Sequence, residues 1–195
     1  SRDAAGNELT SEDHAFLSGE EATEIIGRWP YGSCNTVVAD DDYVYIGSGG
    51  VIIIVDMANP STPVEMSRIV TPSAVLGLFR SGDYLYVADR WGGLRIINVS
   101  DPSNPIETGS FDTQMPAWSV YVAGIYAYVV GWSTHSSPPG MAVGLSILDI
   151  TNPSNPIEVG TYGPLDASDI YVSGNYAYVA DTGPGVPGGL RIFDI

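Results

Sequence analysis

The chain has 195 residues, a formal net charge of −16 and 44% hydrophobic residues, and all of its basic side chains are Arg. Such a length can bury a substantial core, whereas the charge argues against nucleic acid and against anionic membrane surfaces, both of which need a basic face. The single cysteine, Cys34, excludes an internal disulfide and any zinc-ribbon spacing; at the start of an inner strand it reads as a small buried thiol.

Residues 1–23 are polar and acidic, with few large apolar side chains, and are expected to form a flexible leader. Ala15-Phe16-Leu17 could nucleate a single helical turn. Neither a signal peptide nor a transmembrane stretch is visible. From residue 24 onward the chain changes character. Short runs rich in β-branched and aromatic residues alternate with Gly, Asn, Asp and Pro, the punctuation of an all-β chain, and no sustained helical period occurs.

These runs repeat. Asp56-Met57-Ala58-Asn59-Pro60-Ser61-Thr62-Pro63-Val64-Glu65 returns from Asn98 to Glu107 and again from Asp149 to Glu158. A second signature, Tyr-x-Tyr, starts at Tyr43, Tyr84, Tyr126 and Tyr176. In the last repeat four strands can be read: Ile157–Tyr162, Ile170–Ser173, Tyr176–Ala180 and Leu190–Asp194. Four strands in a period of about forty residues match one blade of a β-propeller. Gly82-Asp83 and Gly174-Asn175 fit two-residue hairpin turns, because Gly and Asn reach positive φ at little cost. In the proline-rich segments each proline presets φ and cannot donate to a ladder, so these segments stop one strand and deliver the chain into the next. Their leading residues, Asp56, Asn98 and Asp149, can cap the turn through a side-chain oxygen. The longest interval holds an insert, Trp132 to Ala142, between the second and third strands of one blade.

Gly-Leu-Arg-Ile-Ile-Asn from Gly93, Gly-Leu-Ser-Ile-Leu-Asp from Gly144 and Gly-Leu-Arg-Ile-Phe-Asp from Gly189 each follow a Tyr-x-Tyr strand. With the Pro-Ser-Asn-Pro turns, they resemble LVIVD repeats over about residues 24–195. The resemblance implies a β-propeller of four-stranded antiparallel blades and occurrence on bacterial and archaeal cell-surface proteins. It lends no catalytic residue. The copy at Gly50–Asp56 departs most, lacking the Leu-Arg pair.

Four repeats are visible, either a closed four-bladed ring or a fragment of a larger propeller. The fourth blade ends after its third strand, while Glu24-Ile25-Ile26-Gly27-Arg28-Trp29 aligns with the outer strand Ile157–Tyr162. This segment is expected to complete the last blade, because an unpaired sheet edge recruits other chains. Trp29, aligned with Phe111 and Tyr162, is expected to pack between blades.

Other motifs have plain readings. Gly183 to Gly188 spells G-x-G-x-x-G but leads into a strand, whereas the dinucleotide fingerprint requires a helix. Asn98-Val99-Ser100 has the form of a glycosylation sequon, yet its Asn holds the turn-cap slot. Asp40-Asp41-Asp42 occupies a hairpin turn and lacks the spaced partner that calcium needs. His14 and His135 are the only histidines, one in the leader and one in the insert, so no metal site or triad can be argued. No cofactor is expected.

One constellation stands out. In a propeller the loops between second and third strands emerge on the same face as the blade-to-blade loops. That face is expected to gather Asp89, Arg90 and Trp91, then Trp118, Trp132 and His135, then Asp166, Asp169 and Asp181. Aromatic platforms beside convergent polar groups suit carbohydrate or protein side chains. The expected function is a non-enzymatic interaction module of a cell-surface or secreted protein, binding protein or glycan there, with no nucleic-acid partner and no membrane insertion. The alternatives are a hydrolase or lyase using Asp169, Asp181 and His135 around the central channel, and a purely architectural segment of a larger surface protein with further repeats.

Overall fold

The computed structural model describes residues 25–26, 33–40, 42–132, 143–183 and 188–195. They form four antiparallel sheets, each drawn from consecutive strands. Blade one holds β1 (Thr36–Ala39), β2 (Tyr43–Ser48), β3 (Val51–Asp56) and β4 (Val64–Val70). Blade two holds β5 (Gly77–Ser81), β6 (Tyr84–Ala88), β7 (Leu94–Asn98) and β8 (Ile106–Phe111). Blade three holds β9 (Ala117–Ala123), β10 (Tyr126–Gly131), β11 (Leu145–Asp149) and β12 (Ile157–Tyr162). Blade four holds β13 (Ala167–Ser173), β14 (Tyr176–Asp181) and β15 (Gly189–Asp194). The propeller expected from the repeats is therefore the observed architecture.

The alternation along the middle strands explains why the sheets stack. Successive side chains of a strand point to opposite faces, and here both faces are apolar. Tyr86 and Ala88 pack with Ala127 and Val129 of blade three, whereas their neighbours Leu85 and Val87 pack with Tyr45 of blade one. Tyr128 and Val130 repeat the arrangement against Ala177 and Val179 of blade four. Each such side chain removed from water contributes about 1.5–3 kcal/mol. The second Tyr of the first three signatures, Tyr45, Tyr86 and Tyr128, thus faces the following blade. The innermost strands pack in order, β1 on β5, β5 on β9 and β9 on β13. All four line a central cavity of about 350 Å³.

The proline-rich turns work as their sequence suggests. Asp56, Asn98 and Asp149 each accept the N–H two residues on, at 2.7, 2.9 and 2.8 Å. The turns also lock neighbouring blades. The Ser67 hydroxyl on β4 donates to the Pro102 carbonyl in the turn of blade two, at 2.6 Å. One blade further on, Gly109 of β8 holds the place of Ser67, and a Cβ there would run into the Pro153 carbonyl.

Three expectations need comment. β13 begins at Ala167 rather than Ile170, because a register shift between Ala167 and Asp169 lets the ladder run past an unpaired Ser168. Cys34 is exposed rather than buried, since β1 starts only at Thr36 and leaves the thiol ahead of the packed sheet. Blade four has three strands among the described residues. Of the segment expected to supply its fourth, Ile25 and Ile26 lie outside any strand and are exposed. The rest of that segment, Trp29 included, lies outside the described residues, as do His14 and the stretch 184–187.

The docking at Gly109 predicts an asymmetry. Gly109→Ala forces a methyl into backbone and should destabilise the fold by roughly 1–3 kcal/mol. At the equivalent Gly160 a Cβ would meet only Ile147 side-chain atoms, no closer than 3.7 Å. Gly160→Ala should therefore leave the denaturation midpoint close to that of the parent chain, and thermal unfolding of the two variants reads the difference.

Candidate functional site

The described ends of the loops after β2, β6, β10 and β14 share one face with the connections between blades. The Val75 N–H donates to the Gly49 carbonyl and the Ala117 N–H to the Arg90 carbonyl, each at 2.8 Å. The loop from Asp89 to Gly93 closes on itself, the Asp89 N–H donating to the Gly93 carbonyl at 2.9 Å and the Gly92 N–H to the Asp89 carbonyl at 2.6 Å. Arg90 sits at φ +39° and Gly93 at φ +71°, a region that disfavours side chains. A Cβ on Gly92 would collide with the Asp89 carboxylate. This geometry turns Arg90 and Trp91 outward, and both are exposed. Arg90 is the cation without a carboxylate partner among the described residues. Arg68 pairs with Glu65, Arg80 with Asp40, Arg95 with Glu107 and Asp89, and Arg191 with Asp181.

Blade three builds the aromatic part. Val130 pairs with Ser119 and Gly131 with Ala117, so Trp118 is the extra residue of a β-bulge. Bulges bend a strand and re-aim a side chain. Here Gly131 lets the Pro116 carbonyl lean onto the strand where a Cβ would stand. Trp118 then lies flat against Trp132, with centroids 4.5 Å apart and planes 9° from parallel. Trp132 in turn bridges to Asp166 at the start of blade four. Arg90, Trp118, Trp132 and Asp166 thus form one continuous arc across three blades.

Below this arc the channel carries two layers. The positions of Thr36, Gly77, Ser119 and Asp169 are equivalent in register, each opposite the same point of its second strand. In this layer the Ser119 hydroxyl donates to the Asp169 carboxylate at 2.8 Å, linking blades three and four. Gly77 has no side chain because Ser119 passes so close that a Cβ would meet its Cα at 2.9 Å. The next layer is aromatic. Phe79 and Tyr121 are 4.5 Å apart by ring centroid, and Tyr121 meets Tyr171 edge-on at 5.1 Å.

The expected site therefore divides. Arg90, Trp91, Trp118, Trp132 and Asp169 lie on the loop face or in the channel beneath it. Asp89 and Asp181 are buried and committed to structure. Asp89 accepts the Ser73 N–H at 3.1 Å and faces Arg95 at 3.8 Å. Asp181 accepts from the N–H of Gly183 at 3.0 Å, the N–H of Asp166 at 3.3 Å and the Arg191 guanidinium at 2.5 Å. Each carboxylate ties the incoming connection of its blade to the third strand. His135 lies outside the described residues, and among the described residues no His, Cys, Asp and Glu cluster could hold a metal.

Sequence reading missed this clamp, although a signal existed. Arg95 and Arg191 occur only in the blades that carry Asp89 and Asp181. The other two blades have Ser48 with Ile53 and Gly131 with Ser146 at the corresponding positions. Also missed were Ser119 and the aromatic layer, since no motif marks which strand positions border a channel.

The two clamps respond oppositely to acid. Burial pushes the Asp89 carboxyl above its ordinary range, with the Thr71 hydroxyl, the Ser73 N–H and Arg95 opposing it in part. Burial also disfavours the charge of Asp181, but Arg191 and the two N–H groups outweigh it and hold its carboxyl below the ordinary range. A depressed carboxyl contributes stability above its unfolded pKa of about 3.9 and loses it as pH falls toward the folded value. Asp181→Asn should cost about 2 kcal/mol at neutral pH. The gap to the parent chain should close below about pH 4, as measured by urea unfolding across pH.

The profile of the LVIVD repeat matches residues 31–71, 78–113, 116–135, 140–163 and 165–195. No curated protein matches the chain in sequence. Among solved structures it is similar to the computationally designed Ika4 protein, with a TM-score of 0.63 at 11% identity, covering 91% of this chain and 99% of that one. It is also similar to the computationally designed Ika8 protein, with a TM-score of 0.62 at 10% identity, covering 84% of this chain and 46% of Ika8. At these identities the likeness concerns the fold alone.

Proposed function

Because the chain belongs to the LVIVD-repeat family, we propose that it serves as a non-enzymatic interaction module of a cell-surface or secreted protein. It binds a glycan or a protein segment across the loop face. The observation that carries this reading is the Trp118–Trp132 stack beside a polar channel. Trp132 presents a half-exposed indole, Trp91 a more exposed one, and Arg90 a guanidinium with no carboxylate partner among the described residues. Beneath them Ser119 and Asp169 offer hydroxyl and carboxylate oxygens in a cavity of about 350 Å³. Flat aromatic surface with a few fixed polar groups suits the face of a sugar ring or an aromatic or cationic side chain.

The reading is non-catalytic because the carboxylates that acid–base chemistry would use are otherwise engaged. Asp181 is ion-paired with Arg191, and Asp169 accepts the Ser119 hydroxyl in a link between blades three and four. The family resemblance supports the surface location. The charge of −16 supports a partner other than nucleic acid or an anionic membrane surface. Among the described residues no helix is long and apolar enough to cross a membrane.

The test is a glycan array and a peptide library screened against the whole chain, followed by titration of the best hits. Trp118→Ala, Trp132→Ala and Trp91→Ala should each weaken binding roughly tenfold or more, as aromatic anchors do. Asp83→Asn, in a hairpin turn at the opposite end of the blades, should leave it unchanged. Binding that survives all three tryptophan substitutions removes the loop face from consideration. A chain with no saturable ligand favours a purely architectural role.

A further inference from the structure

Among the described residues that line the central cavity, Asp169 is the one charged side chain. No cation answers it there, since Arg68, Arg80, Arg95 and Arg191 pair with other carboxylates. The two carboxylate oxygens are used unequally. Oδ1 accepts the Ser119 hydroxyl at 2.8 Å and the Ile170 N–H at 2.9 Å. Oδ2 accepts no donor among the described residues, and the side chain is exposed to the cavity. The carboxylate is thus fixed in place through one oxygen and left open at the other.

Aromatic rings lie in the next layer along the same strands. Tyr171 follows Asp169 by two residues on β13, as Tyr121 follows Ser119 on β9 and Phe79 follows Gly77 on β5. Residues two apart share a face of a strand and are separated by about 7 Å. The ring planes of Phe79 and Tyr121 meet at 51° and those of Tyr121 and Tyr171 at 69°. Rings at such angles cannot cover one another's faces as Trp118 and Trp132 do, and Tyr171 is 58% exposed.

Building on the loop-face reading, we propose that the channel takes the ammonium group of a lysine side chain, presented by a protein segment lying across the loops. A nitrogen about 3 Å from Oδ2 on the ring side meets a charge-assisted acceptor. It also stands within the roughly 6 Å over which an aromatic ring attracts a cation. Arginine suits the site less well, because a guanidinium fork pairs with both oxygens of a carboxylate and Oδ1 is already taken twice. A divalent metal needs several oxygen ligands, and no His, Cys, Asp and Glu cluster supplies them among the described residues. The charge of −16 draws a basic segment toward the module from a distance.

The test titrates the whole chain with a capped, otherwise uncharged peptide carrying one lysine, beside versions with arginine, acetyl-lysine or glutamine in its place. Calorimetry should rank lysine first, with acetyl-lysine and glutamine weaker by roughly tenfold or more. Asp169→Asn, which keeps an acceptor for Ser119, should cost the lysine peptide a similar factor, and Tyr171→Leu roughly threefold. Asp83→Asn removes one charge far from the channel and should leave the affinity unchanged. Equal affinity for the lysine and glutamine peptides overturns the proposal, as does an arginine peptide that binds more tightly. Lysine binding indifferent to both Asp169→Asn and Tyr171→Leu overturns it too, provided both variants melt as the parent chain does. Free lysine methyl ester binding as tightly as the peptide also contradicts it, and assigns the channel to a small amine. The wider loop-face reading fails separately, by the absence of any ligand sensitive to Trp118→Ala or Trp132→Ala. A glycan that needs those tryptophans, together with a lysine peptide that does not bind, keeps that reading and removes this one.

Discussion

A sheet that is apolar on both faces cannot stand alone in water, and every complete blade of this chain is such a sheet. Tyr86 and Leu85 are neighbours in sequence yet belong to different interblade cores. An ordinary half-buried sheet would have a polar residue at one of these positions. The consequence is serial. Each blade must be flanked, and the channel, the loop face and the Trp118–Trp132 stack exist where they do because the inner strands are drawn together by this double burial. The carbonyl of Pro153 against Gly109 and the hydroxyl of Ser67 against Pro102 then fix how one blade is rotated on the next.

Much of this was legible in the residues. The Tyr-x-Tyr period located the second strands, the proline-rich turns located the ends of the third, and Asp56, Asn98 and Asp149 cap those turns through their side chains. Those features are local, set by the chemistry of a few adjacent residues. What could not be read depends on neighbours distant in sequence. The bulge that turns Trp118 onto Trp132 arises because the Pro116 carbonyl fits only where Gly131 lacks a side chain. Asp89 and Asp181 looked like free carboxylates because their partners, Arg95 and Arg191, lie on a different strand and the Ser73 and Asp166 N–H groups they accept lie in the connection from the blade before. Cys34 looked buried because its distance from the first paired residue was set by where β1 begins.

This division matters for the function proposed. The carboxylates that hold the blades together, Asp89 and Asp181, are buried and engaged by Ser73, Arg95 and Arg191, while Asp169 on the channel is reachable. The proposed recognition surface and the architecture thus draw on the same residue types in separate places. The sugar or side chain that the loop face would take meets indole rings, the Arg90 guanidinium and a hydroxyl–carboxylate pair, none of which the Asp–Arg clamps employ.

The loop between second and third strands lies between blades only at its base. At Asp89–Gly93 the base is closed by backbone hydrogen bonds, and in blade three the corresponding base is the pairing of Gly131 with the Gly144 carbonyl and of Trp132 with Asp166. Whatever is inserted beyond such a base leaves the strand register on either side untouched. In a stack held by nearest-neighbour contacts, stability is close to a sum over blades and their interfaces. A single blade can therefore lengthen or exchange this loop while the other blades keep their geometry. Binding preference can drift in one repeat at a time, with the framework inherited unchanged.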